Sequence, residues 1–536
     1  MKLTYQRISN GIHQRWVHFW NNRRWQVLIK SINRNALGID DSRPVIFFNA
    51  STRLQAMSQN AAYSLLTALA VRLAGVPVIQ FVCQSGLRRC VLGSNRDDFS
   101  ITPPCDKCVR QSRDVFNGID TRWFEQRDFP ELEGALSRLT IKEMMDFTYQ
   151  GAPLGFWALN SLRWVLRRHS LPDNDQTRAF MRAFIVGAWN VCQQFNDMVE
   201  REHPRAVVVF NGMFYPEAAA RHVCLQKGIR VITHEVGLRP YTAFFTTGEA
   251  TAYPMQIDPG FQLSPEMNKR LDDYLSSRFQ GNFSMAGIRF WPEIKTLDDA
   301  FLAKAERFEK IVPVFTNVIF DTSQVHANTI FPHMFAWLEN VREVARAHPT
   351  VLFVLRAHPD ESRPGKESRE SVGGWVRASD ILDLPNVVFY ESNEFVNSYE
   401  LIRRSHLVMV YNSTIGLEAT LLGKPVIAGG KARFTQLETS FYPSSREEYN
   451  RTLNSFLTAD KVEVPPQFQH NARRFLYYQL YATSLEFDEF LEDDRVWKGY
   501  VKLKQFPFER LSPQRSQTVS VLLDGILGEG DLTYPV

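Results

Sequence analysis

Short apolar runs alternate with helical patterns along most of the chain after Pro44. The run 44–50 (PVIFFNA) is continuous, as expected for a strand buried on both faces, and the run 76–83 (VPVIQFVC) repeats it. Between them, apolar residues recur at helical spacing, and Gly75 stands where a helix C-cap glycine is expected. A strand, a helix and a strand of this size predict a βαβ unit with parallel strands.

The same alternation returns twice further along the chain. Runs at 205–212 and 229–237 flank a helical segment and complete a first α/β domain over 41–255, with a helical insertion at 110–200. Apolar runs at 312–318, 350–359, 386–392, 406–413 and 424–430 predict a second domain over 306–465. The stretch 256–305 is polar and is expected to connect the two. The tail 466–536 begins as a helical pattern and is expected to pack back on the first domain.

The predicted fold class is therefore α/β, with two facing doubly wound (Rossmann-like) parallel-sheet domains. In open α/β sheets, ligands bind outside the carboxyl ends of the strands. The loops that directly follow each strand are therefore the first place to look for chemistry.

Residues 1–40 differ from the rest, because they mix aromatic and basic side chains on a helical pattern. Arg15, Trp16, Trp20, Arg23 and Trp25 belong to this segment. A basic amphipathic helix can lie on anionic lipid. The alternative is that its apolar face packs on the body of the protein.

Composition narrows the class of protein. A chain of 536 residues with 44% hydrophobic and 22% charged residues forms at least two globular domains. The net charge of +4 gives no reason to expect nucleic-acid binding. We expect six cysteines in this length to form no disulfide framework, and no signal peptide or apolar stretch long enough to cross a membrane is visible. We expect a cytoplasmic protein, with a peripheral place on the inner membrane left open.

The segment 355–361 (LRAHPDE) carries the strongest local signal for chemistry. Arg356 and His358 come at the carboxyl end of a buried run. A histidine can donate a hydrogen bond to a phosphate, and an arginine adds fixed positive charge. The alternative role for His358 is to brace the loop before Pro359.

Two further segments follow predicted strands of the second domain. In 411–427 (YNSTIGLEATLLGKPVI), Ser413 and Thr414 open a helix whose free N–H groups suit a phosphate, and Glu418 lies one turn further on, where it can bond ribose. Helix capping is the alternative role for this trio. In 314–323, the candidates for donor contact are Thr316, Asn317 and Asp321, or these residues form a local turn.

The first domain offers candidates for the acceptor side. Inversion at a sugar carbon needs a base that takes the acceptor's proton. Glu235 is the first choice, with Glu217 and His234 in reserve, and each has a capping or buried role as its alternative. Further acceptor-side candidates follow other strands: Asn49, Ser51, Asn211 and Gly212.

Metal and nucleotide motifs are sparse. Cys83, Cys90, Cys105 and Cys108 cluster in the sequence and could hold a structural zinc, or remain buried thiols near a turn. Asp173 and Asp175 have the spacing of a metal pair but stand in a polar break between helical segments. No phosphate-binding loop of the ATPase type appears, and no cofactor is required by any motif.

The ordered segments TNVIFD, RAHPDE and NSTIGLEATLLGKPVI, all within 312–430, resemble the capsule polysaccharide biosynthesis family of glycosyltransferases, which includes bacterial Kdo transferases and polysialyltransferases. The likeness extends more weakly to 210–237. It implies a GT-B fold, a nucleotide-sugar donor in the C-terminal domain and no metal in catalysis. By this likeness, His358 and Pro359 match the family's His-Pro motif, and Ser413 and Thr414 its paired serines.

The family's acidic base motif falls on Glu235, although Val236 stands where the family has a second acid. The resemblance leaves the donor open between CMP-, UDP- and GDP-sugars, and it implies a polysaccharide or glycolipid acceptor. A nucleotide-sugar epimerase of the UDP-GlcNAc 2-epimerase type shares two facing α/β domains. A polysaccharide assembly or export partner without catalysis is the third alternative.

Overall fold

The apolar runs of the first half lie side by side in a seven-stranded sheet of order β14-β6-β5-β4-β1-β2-β3. The computed structural model describes residues 2–36, 38, 43–50, 56–280, 284–285, 288–289 and 296–536. The strands of this sheet are β1 (Val45–Asn49), β2 (Val78–Cys83), β3 (Asp120–Phe124), β4 (Ala206–Phe210), β5 (Arg230–Val236), β6 (Thr242–Thr246) and β14 (Leu485–Glu486). Strands β1 to β5 are parallel, and β6 and β14 run antiparallel to their neighbours on one edge.

Helices cover both faces of this sheet. They are α1 (Lys2–Asn35), α2 (Gln59–Leu73), α3 (Cys105–Phe116), α4 (Pro130–Leu136), α5 (Ile141–Met145), α6 (Leu154–Leu166), α7 (Asp175–Glu202) and α8 (Tyr215–Gln226). Alternate residues of β1 enter two different cores: Ile46 and Phe48 join one, and Val45 and Phe47 the other. This two-sided burial explains why β1 is apolar at each of its first four positions, from Val45 to Phe48.

The second half folds around a five-stranded parallel sheet of order β11-β10-β9-β12-β13. Its strands are β9 (Lys310–Phe315), β10 (Val351–Arg356), β11 (Val387–Tyr390), β12 (Val408–Val410) and β13 (Val426–Ala428). Its helices are α10 (Asp299–Ala305), α11 (Gln324–Ala327), α12 (Met334–Ala347), α13 (Val372–Ala378), α14 (Ser398–Arg404), α15 (Ile415–Leu421) and α16 (Arg446–Thr458). Two separate cores lie on its two faces. The predicted α/β class with two parallel-sheet domains of the GT-B type is confirmed.

Two segments contain elements that the sequence did not predict. The insertion 110–200 includes β3, which pairs with β2 as the parallel edge strand. Its sequence DTRWF lacks an apolar run because an edge strand stays partly exposed. The connection holds α9 (Pro265–Phe279), whose Leu271 and Leu275 are buried, and the short hairpin β7 (Ser284–Met285) and β8 (Ile288–Arg289).

The tail after α17 (Pro466–Tyr477) runs back to the first domain. Strand β14 joins the first sheet beside β6, and α18 (Gln517–Leu527) contacts α2. Strands β15 (Leu491–Asp493) and β16 (Val501–Leu503) form a hairpin that contacts α1. In α17 itself, Arg474 donates hydrogen bonds of 2.7 to 3.0 Å to three backbone carbonyls, those of Phe261, Asp258 and Pro259. The tail therefore ties the connection and both domains together.

Over the part of the chain that the structure describes, none of the helices combines the length and apolarity needed to cross a membrane.

Phe81 tests the first core, because its ring contacts those of Phe48, Phe124 and Phe195 with centroids 4.9 to 5.6 Å away. We expect Phe81→Ala to lower the free energy of unfolding by about 3–5 kcal/mol, because it removes buried surface and leaves a cavity. Urea unfolding followed by circular dichroism measures this change. The matched control is Phe156→Ala, whose ring is 44% exposed and whose loss should change stability by less than about 0.5 kcal/mol. Equal effects of the two substitutions would contradict the assignment of this core.

Candidate functional site

The carboxyl ends of three neighbouring strands, β10, β9 and β12, open on one cavity of about 180 Å³. Six of the side chains proposed from sequence line it: Thr316, Arg356, His358, Ser413, Thr414 and Glu418. Residues from α9, the Arg433 turn and α17 complete its wall. The structure thus brings together motifs that are up to about a hundred residues apart in the chain.

His358 is held by the turn that it opens. The backbone N–H of Asp360 donates to Nδ1 of His358 at 3.2 Å, so the neutral ring carries its proton on Nε2. Burial, reinforced by the Arg356 guanidinium and opposed by the Asp360 carboxylate, lowers the pKa of His358. At neutral pH the ring is therefore uncharged, with one N–H to donate. This arrangement combines the loop-bracing role and the phosphate-binding role that the sequence left as alternatives.

Arg356 and Thr316 join the ends of β10 and β9. The Thr316 hydroxyl donates to the backbone carbonyl of Arg356 at 3.0 Å. The Arg356 guanidinium donates to the Ser398 hydroxyl at 2.8 Å and to the Glu394 carbonyl at 3.2 Å. Burial lowers the pKa of Arg356 to about 10, which keeps it charged at neutral pH. These contacts hold a permanent positive charge directly beneath the cavity.

Ser413 and Thr414 follow β12 and precede α15. Thr414 occupies the N-cap position of α15, yet its hydroxyl makes no capping hydrogen bond to that helix. Ser413 is 8% exposed, whereas Thr414 is open to solvent. The plain capping alternative therefore does not account for the Thr414 hydroxyl, which is available to a ligand in the cavity.

Glu418 lies on the cavity but is already engaged. Its carboxylate accepts hydrogen bonds from the Arg278 guanidinium of α9 and from the Tyr399 hydroxyl of α14. A carboxylate has about four lone-pair directions, so a ribose hydroxyl can still be bound. Arg278 was not identified from the sequence, because candidates were sought after predicted strands and the connection 256–305 shows no apolar strand pattern. A polar helix with Leu271 and Leu275 four residues apart was the available signal.

Asn317 and Asp321 do not line this cavity. The Asn317 side chain accepts from the backbone N–H of Asn412 at 3.2 Å and so braces the loop before Ser413. Asp321 is exposed and borders a small neighbouring recess with Arg163 and His169 of the first domain. Its predicted contact with a donor is therefore not made through the main cavity.

Glu235 ends β5 in the opposite domain. Its Oε1 accepts from the Asn60 amide at 3.1 Å and from the Val236 N–H at 2.9 Å. Burial raises the pKa of Glu235, these hydrogen bonds oppose the rise, and the Asp321 carboxylate adds to it. Asp321 also acts on the pKa of His358, in the raising direction. The Asp321 carboxylate thus raises the pKa of both groups, although Glu235 itself does not line the cavity.

Arg433 connects the two walls of the cleft. It lines the donor cavity, and its guanidinium lies 3.5 Å from the centre of the Tyr253 ring. The Tyr253 hydroxyl in turn donates to the Val236 carbonyl, next to Glu235, at 2.7 Å. The positive charge of Arg433 stabilises the ionised form of Glu235. No sequence motif singled out Arg433, because it stands in a turn after β13 rather than directly at a strand end.

The reserve bases need a correction. Glu217 is 0% exposed within the first turn of α8, and His234 is 1% exposed. The His234 ring packs between Phe210 and Phe245, and burial lowers the pKa of His234 to about 3. Neither side chain lines the cavity, because both point into the core beside the sheet.

The remaining acceptor-side candidates shape the backbone instead of facing the cleft. Asn49 is buried and donates to Phe47 O and Gln80 Oε1 at 3.2 and 2.5 Å. Asn211 and Gly212 have positive φ values of 42° and 78°, and the Asn211 side chain accepts from Met213 N at 2.8 Å. Ser51 lies outside the described residues.

The four clustered cysteines line one small recess in the first domain. However, no three or more His, Cys, Asp or Glu side chains in the described ranges are arranged to hold a metal ion. Burial raises the pKa of Cys83, and it raises that of Cys90 to about 11, which favours neutral thiols. This geometry gives no support to the predicted structural zinc at Cys83, Cys90, Cys105 and Cys108, which are four half-buried free cysteines.

A larger cavity of about 1090 Å³ lies on the first domain, next to α3 and α7. Its cations include Arg88, Lys107 and Arg182. None of the proposed donor or base residues lines it, so the donor site does not lie there.

Comparison with known proteins gives a family match over the segment that contains these motifs. Residues 290–437 match the family described as capsule polysaccharide biosynthesis protein. This segment contains all three donor motifs, so the resemblance to that family is confirmed over it. The fold is that of an α/β protein with two Rossmann-like sheets, and residues 290–437 are similar to the capsule polysaccharide biosynthesis family.

In sequence, the chain is 29% identical over 229 residues to Protein FixF of Sinorhizobium fredii (strain NBRC 101917 / NGR234). The aligned residues make up 42% of this chain and 48% of FixF. The chain thus spans about half the length of the curated relative that it matches.

Among solved structures, KpsC beta Kdo 2,4 transferase of Thermosulfurimonas dismutans is 13% identical, with a TM-score of 0.36, over 52% of this chain and 80% of that chain. UDP-GlcNAc 2-epimerase of Neisseria meningitidis is also 13% identical, with a TM-score of 0.25, over 81% of this chain and 99% of that chain. Likenesses this weak do not separate a transferase from an epimerase.

The contact between Arg278 and Glu418 offers a test of how the connection supports the cavity, because their side chains are only 13% and 6% exposed. We expect Arg278→Met to lower the free energy of unfolding by about 3–5 kcal/mol, since it leaves a buried carboxylate without its cation. Urea unfolding measures the effect.

The double variant R278M/E418M should be clearly more stable than R278M, because it removes both charges. Arg377→Met breaks an exposed pair with Glu391 and should cost less than about 1 kcal/mol. A double variant no more stable than R278M would show that the pair is not the source of the loss.

Proposed function

We propose that this chain is a glycosyltransferase that moves a sugar from a nucleotide-sugar donor to a bacterial surface polysaccharide or glycolipid. The convergence of His358, Ser413 and Thr414 on one cavity carries this proposal. A hydroxyl pair and a neutral imidazole N–H are the donors that a phosphate oxygen accepts from. Arg356 adds positive charge that strengthens the site for an anion.

In the proposed reaction the nucleotide phosphate lies against His358 and the hydroxyls of 413–414. As the bond between the sugar carbon and the phosphate oxygen breaks, negative charge grows on that oxygen. The Nε2 proton of His358 and the two hydroxyls stabilise this charge without having to reorient. Glu418 holds the nucleoside end through a ribose hydroxyl while it remains bonded to Arg278 and Tyr399.

Glu235 takes the proton from the acceptor hydroxyl on the opposite side of the cleft. The acceptor oxygen then bonds to the sugar carbon on the face opposite the leaving phosphate, which inverts the configuration. A raised pKa makes the Glu235 carboxylate a better proton acceptor than an ordinary glutamate. Arg433 and the Asn60 amide keep it ionised enough to act.

The cavity of about 180 Å³ is smaller than the roughly 300–1,000 Å³ of typical ligand pockets. We therefore expect the two domains to open further when a whole nucleotide sugar binds. The resemblance to the capsule family implies that the reaction proceeds without a catalytic metal, and the proposed steps use only side chains of this chain.

The first test is His358→Ala, which removes a hydrogen-bond donor from the leaving phosphate. We expect kcat to fall by about 100- to 1,000-fold, while nucleotide binding, followed by thermal shift with CMP, UDP and GDP compounds, weakens less. The readout is the transfer of labelled sugar to an acceptor.

The control for this test is His470→Ala, which removes an exposed imidazole and should leave kcat unchanged. Wild-type turnover by H358A would remove the role given to this residue. If the wild-type protein converts the donor sugar without acceptor, it is an epimerase. A protein that binds no nucleotide is an assembly or export partner.

A second test concerns the base. Activity of the wild-type protein should fall as the pH drops through the raised pKa of Glu235, because only the ionised carboxylate accepts a proton. Glu235→Gln should be slower by about 100-fold or more and should lose this acidic limb. The measurement is kcat against pH for both proteins.

The matched control is Glu447→Gln, an exposed carboxyl whose loss should leave the profile unchanged. An E235Q variant that keeps the same acidic limb would assign the limb to another group.

A further inference from the structure

Helix α1 has two faces of different character. With about 3.6 residues per turn, positions 17, 21, 25, 28, 29 and 32 share one side. All six are buried: Val17, Asn21, Trp25, Leu28, Ile29 and Ile32. The Asn21 amide donates to Val501 O at 3.1 Å and accepts from Leu503 N at 2.9 Å, which fixes the helix on β16. The inner face thus packs on the body of the protein, and Gln26 and Asn33 at its edge add hydrogen bonds to the Asp114 and Gly118 carbonyls.

The outer face also carries large apolar side chains, and these are exposed to solvent. Trp16 is 60% exposed, Phe19 58%, Trp20 43% and Val27 62%. The three rings touch one another, with centroids 5.7 and 6.3 Å apart. The described part of the chain has eleven large exposed apolar side chains, and four of them lie on this one stripe. Such a concentration marks an interaction surface rather than the scatter normal for soluble proteins.

A groove of about 710 Å³ runs beside this face, between α1 and residues 502–509. Trp20 and Val27 form one wall, and Phe506 and Phe508 form the other. The apolar surface therefore continues from the helix onto the tail of the chain.

Charge on the outer face has a single sign. The sequence from Lys2 to Asn35 contains seven Lys or Arg residues and no Asp or Glu. Arg23, Lys30 and Arg34 lie on the same stripe as the exposed rings, and Arg15 lies beside it, all four exposed. Within the described residues, no ion pair includes any of these four cations.

The few acids near the groove lie to one side. Glu492 is 3.8 Å from Arg24 and 3.5 Å from Lys502, so it neutralises cations of the groove edge rather than those of the stripe. Glu509 lies at the far end of the groove. The stripe itself keeps its positive charge.

We propose that the outer face of α1 and the neighbouring residues 502–508 dock the protein on a membrane surface rich in anionic lipid. Tryptophan and phenylalanine rings enter the boundary between headgroups and acyl chains, where one side of the ring is apolar and the other wet. Arg23, Lys30 and Arg34 contact the lipid phosphates. The anchored inner face keeps the helix parallel to the surface of the body, so docking needs no unfolding of α1.

An anionic membrane fits these observations better than a protein or a nucleic acid. A nucleic-acid surface would need cations spread along a groove, whereas here the centre of the stripe is aromatic and aliphatic. A stable copy-to-copy interface would bring the like charges of two stripes face to face. The inference is independent of the proposed transferase reaction, because no residue of the stripe lines the donor cavity.

The test is sedimentation of the full chain with vesicles of phosphatidylcholine alone, or of phosphatidylcholine and phosphatidylglycerol in equal parts. We expect binding to the mixed vesicles, weakened by added NaCl, and little binding to phosphatidylcholine. Arg23→Gln with Lys30→Gln should weaken binding about thirtyfold, because each surface cation contributes roughly fivefold. Trp16→Ala with Trp20→Ala should weaken it at least about tenfold.

Matched controls change the same chemistry elsewhere. Phe156→Ala removes an exposed ring on α6, and Arg403→Gln removes an exposed cation on α14, and both should bind as the wild-type protein does. Brominated acyl chains should quench tryptophan fluorescence on binding, and Trp16→Phe with Trp20→Phe should lose most of that quenching while still sedimenting.

Three outcomes would overturn the proposal. One is the absence of sedimentation with phosphatidylglycerol vesicles. Another is unchanged binding by both double variants. The third is a wild-type protein that binds no lipid but forms a dimer or an RNA complex, where the W16A/W20A variant no longer forms that complex. Because the stripe is solvent-exposed, circular dichroism of each variant should match that of the wild-type protein.

Discussion

The parallel arrangement of β9, β10 and β12 is the constraint on which the candidate site depends. Parallel strands point all their carboxyl ends to one edge, and burial on both faces leaves that edge as the place where polar side chains reach solvent. The hydrogen bond from Thr316 to the Arg356 carbonyl joins two of these ends. Any ligand held by His358 and the 413–414 hydroxyls is therefore positioned by the sheet itself and not by mobile loops.

The cleft is completed by parts of the chain that belong to neither sheet. Arg278 of the connection and residues of α17 form one side of the cavity, and the tail then continues into the first sheet as β14. The same tail supplies the hairpin on which α1 rests. The cavity and the proposed membrane face are thus supported by one continuous segment of the chain.

Electrostatics separate the roles of the ionisable groups that the sequence could only name. Glu235 and His234 are neighbours in the chain, but alternation along β5 puts them on opposite sides, with Glu235 bonded to the Asn60 amide and His234 between two phenylalanine rings. Burial then moves the two pKa values in opposite directions, up for Glu235 and down for His234. Of these two, only Glu235 has a pKa shifted in the direction that suits the proposed base. Glu217 is set apart by its burial, because it is enclosed in the first turn of α8.

The sequence alone determined the two parallel α/β domains, because apolar runs at βαβ spacing are compatible with few other folds. It also identified His358, Ser413 and Thr414, because residues that follow buried parallel strands share one edge of the sheet. Tertiary structure decided the rest. It placed Arg278, Tyr399 and Arg433 on the cavity, since side chains from a polar helix and a turn reach it only through packing. It also showed that α1 both packs inward and exposes a second apolar face, which depends on the neighbours of a helix and not on its pattern.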